Sequence, residues 1–317
     1  MNLFENFKKL PPSLEANEGK YIVENILENK NHKIARSISN RPIILFKVSD
    51  DDPISSNLNL QEYWRILRTR SYETVTIMNE ETQDMYTIID YLDNEESLQK
   101  IFLDVISLIV NDLEITTSNS AISNYISSLK KLLVSKKNKK NNDIQGLWAE
   151  LFIIYSLENK EKALTAYQSE NLRDLWDFYN LGRAIEIKST NKNQRIHKFK
   201  YEQLESKSDE IYIISVITKK SENGKSIENI IANIEDSIVN KYLKFKISCI
   251  KKSINSSYEY SSIKFDEEQA FKSLRVYFYK DIPRIKKIEP GISDLTYKVD
   301  LSFAKESSLQ LSDLFED

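Results

Sequence analysis

The sequence predicts a mixed protein of α+β or α/β class, built in two parts. Three observations lead there. Short segments alternating with period two, such as Leu295, Tyr297, Val299 and Leu301, stand apart from longer ones with helical spacing, such as Leu98, Ile101, Phe102, Val105, Ile106 and Ile109. A run with no apolar residue, SKKNKKNN at 135–142, lies between the halves. From residue 143 to 218 the segments read helix, strand, strand, strand, helix, strand. The expected division is residues 1–138, strands followed by helices, and residues 139–317.

Residues 1–20 read as an irregular lead-in. Tyr21 to Leu27 and Pro42 to Val48 are strand-like, and Asp50 to Pro53 is a turn. Three adjacent acids there cannot all face one ion. Thr74 to Met78 and Met85 to Asp90 suit a hairpin around the polar Asn79 to Gln83. Glu95 to Leu113 and Ala121 to Val134 follow as helices.

Asp143 is a natural cap for the next helix, in which Ile144, Leu147, Trp148, Leu151 and Tyr155 share one side. Glu150 falls angularly between Leu157 and Ile154. A carboxylate among such neighbours needs a partner or a cation, unless its head reaches water along a flat stem. Ala163 to Tyr167 reads as a first core strand, Tyr201 to Lys207 as a short helix with Gln203, Glu210 to Thr218 as a buried strand, and Ser226 to Ser253 as helical. Strand-like segments at 257–264, 274–280 and 295–301 follow, and the acidic tail LSDLFED is expected to fray.

The stretch LWDFYNLGRAIEIKST, Leu175 to Thr190, organises the second part. Asn180, Leu181 and Gly182 supply turn chemistry between two strands. Ala184, Glu186 and Lys188 then share one face and Ile185, Ile187 and Ser189 the other. With a two-residue loop at Leu181-Gly182, or a four-residue one, Asp177 pairs across from Glu186. A three-residue loop would put it opposite Ile185. In the first register two carboxylates and an ammonium converge. Like charges opposite each other destabilise a sheet, and a divalent cation that takes carboxylate oxygens removes that cost. The run STNKNQRIHKFK follows at once, with Lys192, Arg195, Lys198 and Lys200 as candidate phosphate contacts. The bland alternative is a solvated loop, and His197 in it is either a proton carrier or without a role.

Composition narrows the function classes. The chain has 317 residues, 40% of them apolar, which is enough for two cores. One cysteine, Cys249, forms no internal disulfide, and two histidines with one cysteine exclude a Cys/His zinc site. Five glycines come without any Gly-rich phosphate loop. The N-terminus lacks the apolar run of a signal peptide, and no apolar segment approaches the roughly 18 residues of a membrane span. The expectation is a cytoplasmic protein that touches no membrane. A net charge of −3 means that any DNA contact must use local patches.

Asp, eight residues, then Glu-x-Lys on a strand resembles the PD-(D/E)XK nuclease motif. The chain is more narrowly similar to a family of PD-(D/E)XK proteins of bacterial restriction and defence loci. The similarity rests on GLWAEL at 146–151, WDF at 176–178, IEIKST at 185–190, QL at 203–204, and IPRI at 282–285 followed by the strand Tyr297 to Leu301. It spans most of the chain, more weakly before residue 95. Trp176 stands where the motif's name has proline.

The resemblance implies a restriction-endonuclease-like core, αβββαβ, and hydrolysis of a DNA phosphodiester. Asp177 and Glu186, with the carbonyl of Ile187, would hold Mg²⁺ or Mn²⁺. Lys188 would position or deprotonate the attacking water, Glu150 would serve a second ion or a metal-bound water, and Gln203 would orient Lys188 or a phosphate. DNA is the implied partner; a homodimer and a motor or methyltransferase subunit stay open. Two rivals stand beside this reading. One is a non-catalytic nuclease-fold subunit that binds DNA or protein. The other is a glycosidase-like carboxylate pair, which needs carboxyls roughly 5–9.5 Å apart and which Lys188 disfavours.

Overall fold

The computed structural model describes residues 3–28, 31–49, 66–138, 144–167, 175–205, 210–254 and 262–316. The chain is mixed α+β. Its contacts divide it into two compact units, Met1–Lys140 with Ser248–Ser253, and Asn141–Ile247 with Ile254–Asp317.

The first unit opens with helix α1 (Leu3–Lys9) and contains strands β1 (Lys20–Tyr21), β2 (Val23–Asn25), β3 (Lys33–Arg36), β4 (Pro42–Lys47), β5 (Leu67–Ile77) and β6 (Thr82–Tyr91), then helices α2 (Glu96–Asp112) and α3 (Asn119–Asn138). The strands form one sheet in the order β1-β5-β6-β4-β3-β2, with only the β1/β5 pair parallel. The β5/β6 hairpin is longer than its sequence signal, with Ile77 opposite Thr82 and Leu67 opposite Tyr91. One face buries Ile43, Leu45, Val75, Tyr86 and Ile88. On the other, Tyr91 stacks on Phe102 of α2, with ring centroids 4.7 Å apart.

The second unit begins with α4 (Ile144–Ser156) and α5 (Lys160–Ala166). Strands β7 (Phe178–Asn180), β8 (Arg183–Thr190), β9 (Ile196–Lys200), β10 (Glu210–Ile217) and β11 (Lys220–Ser226) come next. Helices α6 (Ile227–Ser237) and α7 (Lys241–Ile254), whose residues Ser248–Ser253 count with the first unit, strand β12 (Lys264–Phe265), helix α8 (Glu267–Ser273) and strands β13 (Arg275–Phe278) and β14 (Thr296–Asp300) complete it. The core sheet runs β13-β10-β8-β7, with β8 and β10 parallel and both outer pairs antiparallel. Because β8 is central, both its faces are covered. Helix α4 packs on it. On the opposite face Ala184 joins Phe199, Leu204, Ile211, Ile213, Val299 and Leu301, brought by β10, by the β9/β14 ribbon and by the 3₁₀ turn Tyr201–Leu204.

Several elements differ from the sequence expectation. The lead-in contains α1, whose Leu3, Phe4 and Phe7 are buried. Helix α3 runs on to Asn138, since lysine and serine are tolerated in a helix, so the polar run supplies its last turn. Residues 139–142, the Asp143 cap and the turn at Asp50 to Pro53 lie outside the described residues. Ala163 to Tyr167 is not a strand: Asn159 caps α5 by accepting from Lys162 N at 3.0 Å, and an Ala/Leu/Lys sequence behind a cap favours helix. The helical run from Ser226 breaks in two, because Glu161 accepts from Val239 N and Asn240 N at 2.6 and 2.9 Å and Asn240 starts α7. The described part of the tail, through Glu316, does not fray. Leu314 and Phe315 are buried, with Phe315 edge-on to Phe178.

Candidate metal centre

Leu181 and Gly182 take φ of 49° and 82°, the two left-handed positions of a type I′ hairpin turn. Glycine adopts this conformation without steric cost. The two-residue loop sets the register: Asn180 pairs with Arg183, Tyr179 with Ala184 and Phe178 with Ile185, where the pairing ends; Asp177, next before Phe178, donates its N–H to Ile185 O at 3.1 Å and lies within electrostatic reach of Glu186. The carboxylate of Asp177 then turns to the strand edge, where Oδ2 accepts from Ile187 N at 2.7 Å. A residue's N–H and C=O lie on the same side of an antiparallel strand, so the Ile187 carbonyl faces that edge too.

Glu186 is buried on the face of β8 roofed by β9. Its Oε1 accepts from Lys188 Nζ at 2.5 Å and from Gln203 Nε2 at 2.7 Å. The amide of Gln203 is fully used. It also donates to Leu175 O at 3.0 Å, and its Oε1 accepts from Lys200 N at 3.1 Å and Lys188 Nζ at 3.3 Å. That pattern fixes the amide's orientation, because reversing it would set N–H against N–H. The ammonium of Lys188 also lies 5.0 Å from the Phe199 ring centroid. Lysine, glutamate and glutamine thus lock one another.

Glu150 projects from α4, and its Oε2 accepts from Tyr167 Oη at 2.7 Å. Desolvation holds the Asp177 carboxyl well above its usual range, and the charges of Glu186 and Glu150 push it the same way. Glu186 is also raised by desolvation, against the opposing pull of Lys188 and Gln203. Neither Asp177 Oδ1 nor Glu186 Oε2 has a hydrogen-bond partner among the described residues. Two such carboxylate oxygens and the Ile187 carbonyl are hard donors, the set that suits Mg²⁺ or Mn²⁺. Among the described residues no group of three His, Cys, Asp or Glu side chains is placed to hold a metal. A cation here would therefore rely on the backbone oxygen and on water.

A family model described as "Putative PD-(D/E)XK family member" matches residues 5–302. The chain belongs to this PD-(D/E)XK family. No curated protein and no solved structure matches it. The match extends through the first unit as well, where the sequence resemblance was weakest.

Of the residues expected at the site, Glu186, Lys188 and Gln203 are joined by hydrogen bonds, and Asp177 lies within electrostatic reach of Glu186 and Glu150. The basic run divides. Its second half is not a loop but β9, in which Lys198 and Lys200 are exposed and His197 and Phe199 buried; Lys192 is exposed just before it. Arg195 is turned inward: Nη1 donates to Ser215 O and Oγ at 2.9 and 2.8 Å, and Nη2 to Ser273 O. Its guanidinium holds the ribbon in place, which removes it from the phosphate contacts expected of it. His197 is a buried strand residue with Nε2 2.8 Å from Ser215 Oγ. Desolvation, with Lys188 and Arg195 nearby, lowers its pKa to about 4, so the ring is neutral and structural. The sequence reading missed Ser215, which organises Arg195 and His197, and Tyr167, which holds Glu150. Both sit in largely apolar runs, EIYIISVIT and ALTAY, where a hydroxyl among other hydroxyls was the available signal.

Among the described residues no helix is long and apolar enough to cross a membrane.

Proposed function

We propose that the chain is a Mg²⁺- or Mn²⁺-dependent DNA endonuclease of a bacterial restriction or phage-defence system, with a restriction-endonuclease-like core. The observation that carries the proposal is the cluster at the end of the hairpin, where Asp177 accepts from Ile187 N within electrostatic reach of Glu186, and Lys188 is locked to Glu186. A bound divalent ion would polarise a phosphoryl oxygen and lower the pKa of a water. Asp177, Glu186 and the Ile187 carbonyl would hold that ion. Lys188, steadied by Gln203, positions the attacking water and offsets charge on the pentacovalent transition state. Glu150, which accepts from Tyr167, would serve a second ion or a metal-bound water near Asp177. Lys192, Lys198 and Lys200 bear on the backbone phosphates. The reading places the protein in the cytoplasm with DNA as partner. A homodimer or a motor or methyltransferase subunit completes the machine where the chain alone is silent.

A second reading, a nuclease-fold subunit that binds DNA or protein without cutting, is favoured by the direct Glu186–Lys188 pair, which also suits a structural salt bridge. Calorimetric titration with Mg²⁺ and Mn²⁺, together with plasmid cleavage, separates the two. The nuclease reading expects one divalent ion bound through Asp177 and cleavage lost in Lys188→Ala. Absence of divalent binding rejects it for the binding subunit.

A further inference from the structure

The sheet of the first unit gathers three arginines on one face. Arg68 of β5 is directly opposite Asp90 of β6, and Asp90 opposite Ile43 of β4. Arg70 and Arg41, each two residues along, fall on the same face. Asp90 is only 6% exposed, and two guanidiniums hold it. Arg68 Nε donates to Oδ2 at 2.9 Å, and Arg70 bonds it through Nε and Nη2 at 3.3 and 3.2 Å. Arg41 spends one nitrogen, Nη1, on Leu92 O at 3.0 Å. Neither terminal nitrogen of Arg68 has a hydrogen-bond partner among the described residues, and the same holds for Nη2 of Arg41.

These side chains line a cavity of about 430 Å³, whose lining also includes Ser37 and Ser39. Three guanidiniums face a single carboxylate, an excess of two positive charges. One buried carboxylate needs no third arginine. A phosphate monoester carries about −1.5 to −2 at neutral pH, and the planar guanidinium fork matches its oxygens. The space is about fourteen waters at ~30 Å³ each, far more than a phosphate fills, and lies in the size range of small-molecule sites. Leu14 and Ile38, 70% and 62% exposed, also line it and offer apolar surface to whatever carries the phosphate.

We infer that the first unit carries a binding pocket for a 5′-phosphorylated nucleotide, its phosphate on Arg41 and Arg68 and its base and sugar against Leu14 and Ile38. The phosphate belongs either to a free mononucleotide or to the 5′ end of a DNA strand. The pocket is built from residues of the first unit alone and does not depend on the nuclease reading.

The test is calorimetry on the full chain in EDTA, which keeps divalent-ion chemistry out. The probes are dTMP, thymidine, inorganic phosphate, and a short oligothymidylate with and without a 5′-phosphate. A phosphorylated probe should bind one to one, at least tenfold more tightly than inorganic phosphate or its unphosphorylated counterpart. Binding of dTMP identifies the free nucleotide as ligand; binding of the phosphorylated oligonucleotide alone identifies the strand end. Arg41→Gln should weaken binding tenfold or more with an unchanged melting temperature, and Arg68→Gln should weaken it as much but melt somewhat lower, because Asp90 then keeps only Arg70. Asp90→Asn, which removes the competing anion, should tighten it. Failure of every probe to bind, binding no tighter than inorganic phosphate, or affinity unmoved by both arginine variants overturns the assignment.

Discussion

Lys188→Ala separates a metal centre from an ordinary buried ion pair. The ammonium contacts Glu186 at 2.5 Å, and the two side chains are 17% and 7% exposed. Removing it leaves Glu186 buried with Gln203 as its remaining partner. Breaking one side of a buried pair costs roughly 3–5 kcal/mol. The second unit is about 170 residues long, a size at which 1 kcal/mol shifts the melting temperature by about 2–4 °C. In chelator its melting temperature should therefore fall by about 6–20 °C. Excess Mg²⁺ then acts differently on the two proteins. In the wild type the ion competes with Lys188 for Glu186. In the variant the carboxylate is open, so the ion replaces the lost charge. At one hundred times Kd, binding alone contributes about 2.7 kcal/mol. Scanning calorimetry of both proteins, with Mg²⁺ and with chelator, should show a larger Mg²⁺ shift in the variant, while plasmid cleavage is abolished. An equal loss under both conditions would mean that Lys188 and Glu186 are architecture, and the metal-centre argument fails.

Asp177→Asn keeps an acceptor for Ile187 N and drops a charge that Glu186 and Glu150 oppose. In chelator it should melt no lower than the wild type, and Mg²⁺ should not stabilise it; a Mg²⁺ shift of wild-type size would place the ion elsewhere. Glu186→Gln should also lose the Mg²⁺ shift, but at a cost in chelator, because Lys188 loses its partner. Replacing Lys192, Lys198 and Lys200 by Gln should flatten the salt dependence of DNA binding by up to about 0.9 per lost contact, while Arg195→Gln should lower stability instead. An unchanged slope in the triple variant would remove the ribbon from the DNA contacts. His197 is held neutral in the fold, with its pKa lowered from 6.5 to about 4. Its contribution is complete above about pH 6.5 and is lost as the pH falls through about 4, amounting to about 3 kcal/mol at 1.36 kcal/mol per unit. His197→Asn should therefore flatten the acid side of the stability curve, and equal slopes in the two proteins would contradict the assignment.

Local patterns in the chain set the parts of the site that depend on neighbours in sequence. Leu181-Gly182 turns the hairpin, which ends with Asp177 within electrostatic reach of Glu186, and the strand's alternation leaves Lys188 on the face of Glu186. The period of α4 marked Glu150 as a carboxylate in need of a partner. Where two readings of one local pattern compete, the pattern does not choose. The segment ALTAY can alternate or coil, and the Asn159 cap decided for helix. The run from Arg195 to Lys200 has the composition of a solvated loop, yet pairing with β14 makes it a strand with His197 and Phe199 inside.

The sequence by itself determined the mixed class and the motif, because each follows from spacing over a few residues; the hairpin loop stayed open between lengths until the backbone at Leu181 and Gly182 fixed it. Only the tertiary structure decided the second set of relations. Gln203 meets Glu186 and Lys188 across 17 and 15 residues, Arg195 turns inward to Ser215 across 20, and Arg68 and Arg70 reach Asp90 across 22 and 20. Charge and hydrogen-bonding capacity are written in a residue's type. The partner that uses them is set by which strands the sheets bring side by side, and no local period in the chain records that choice.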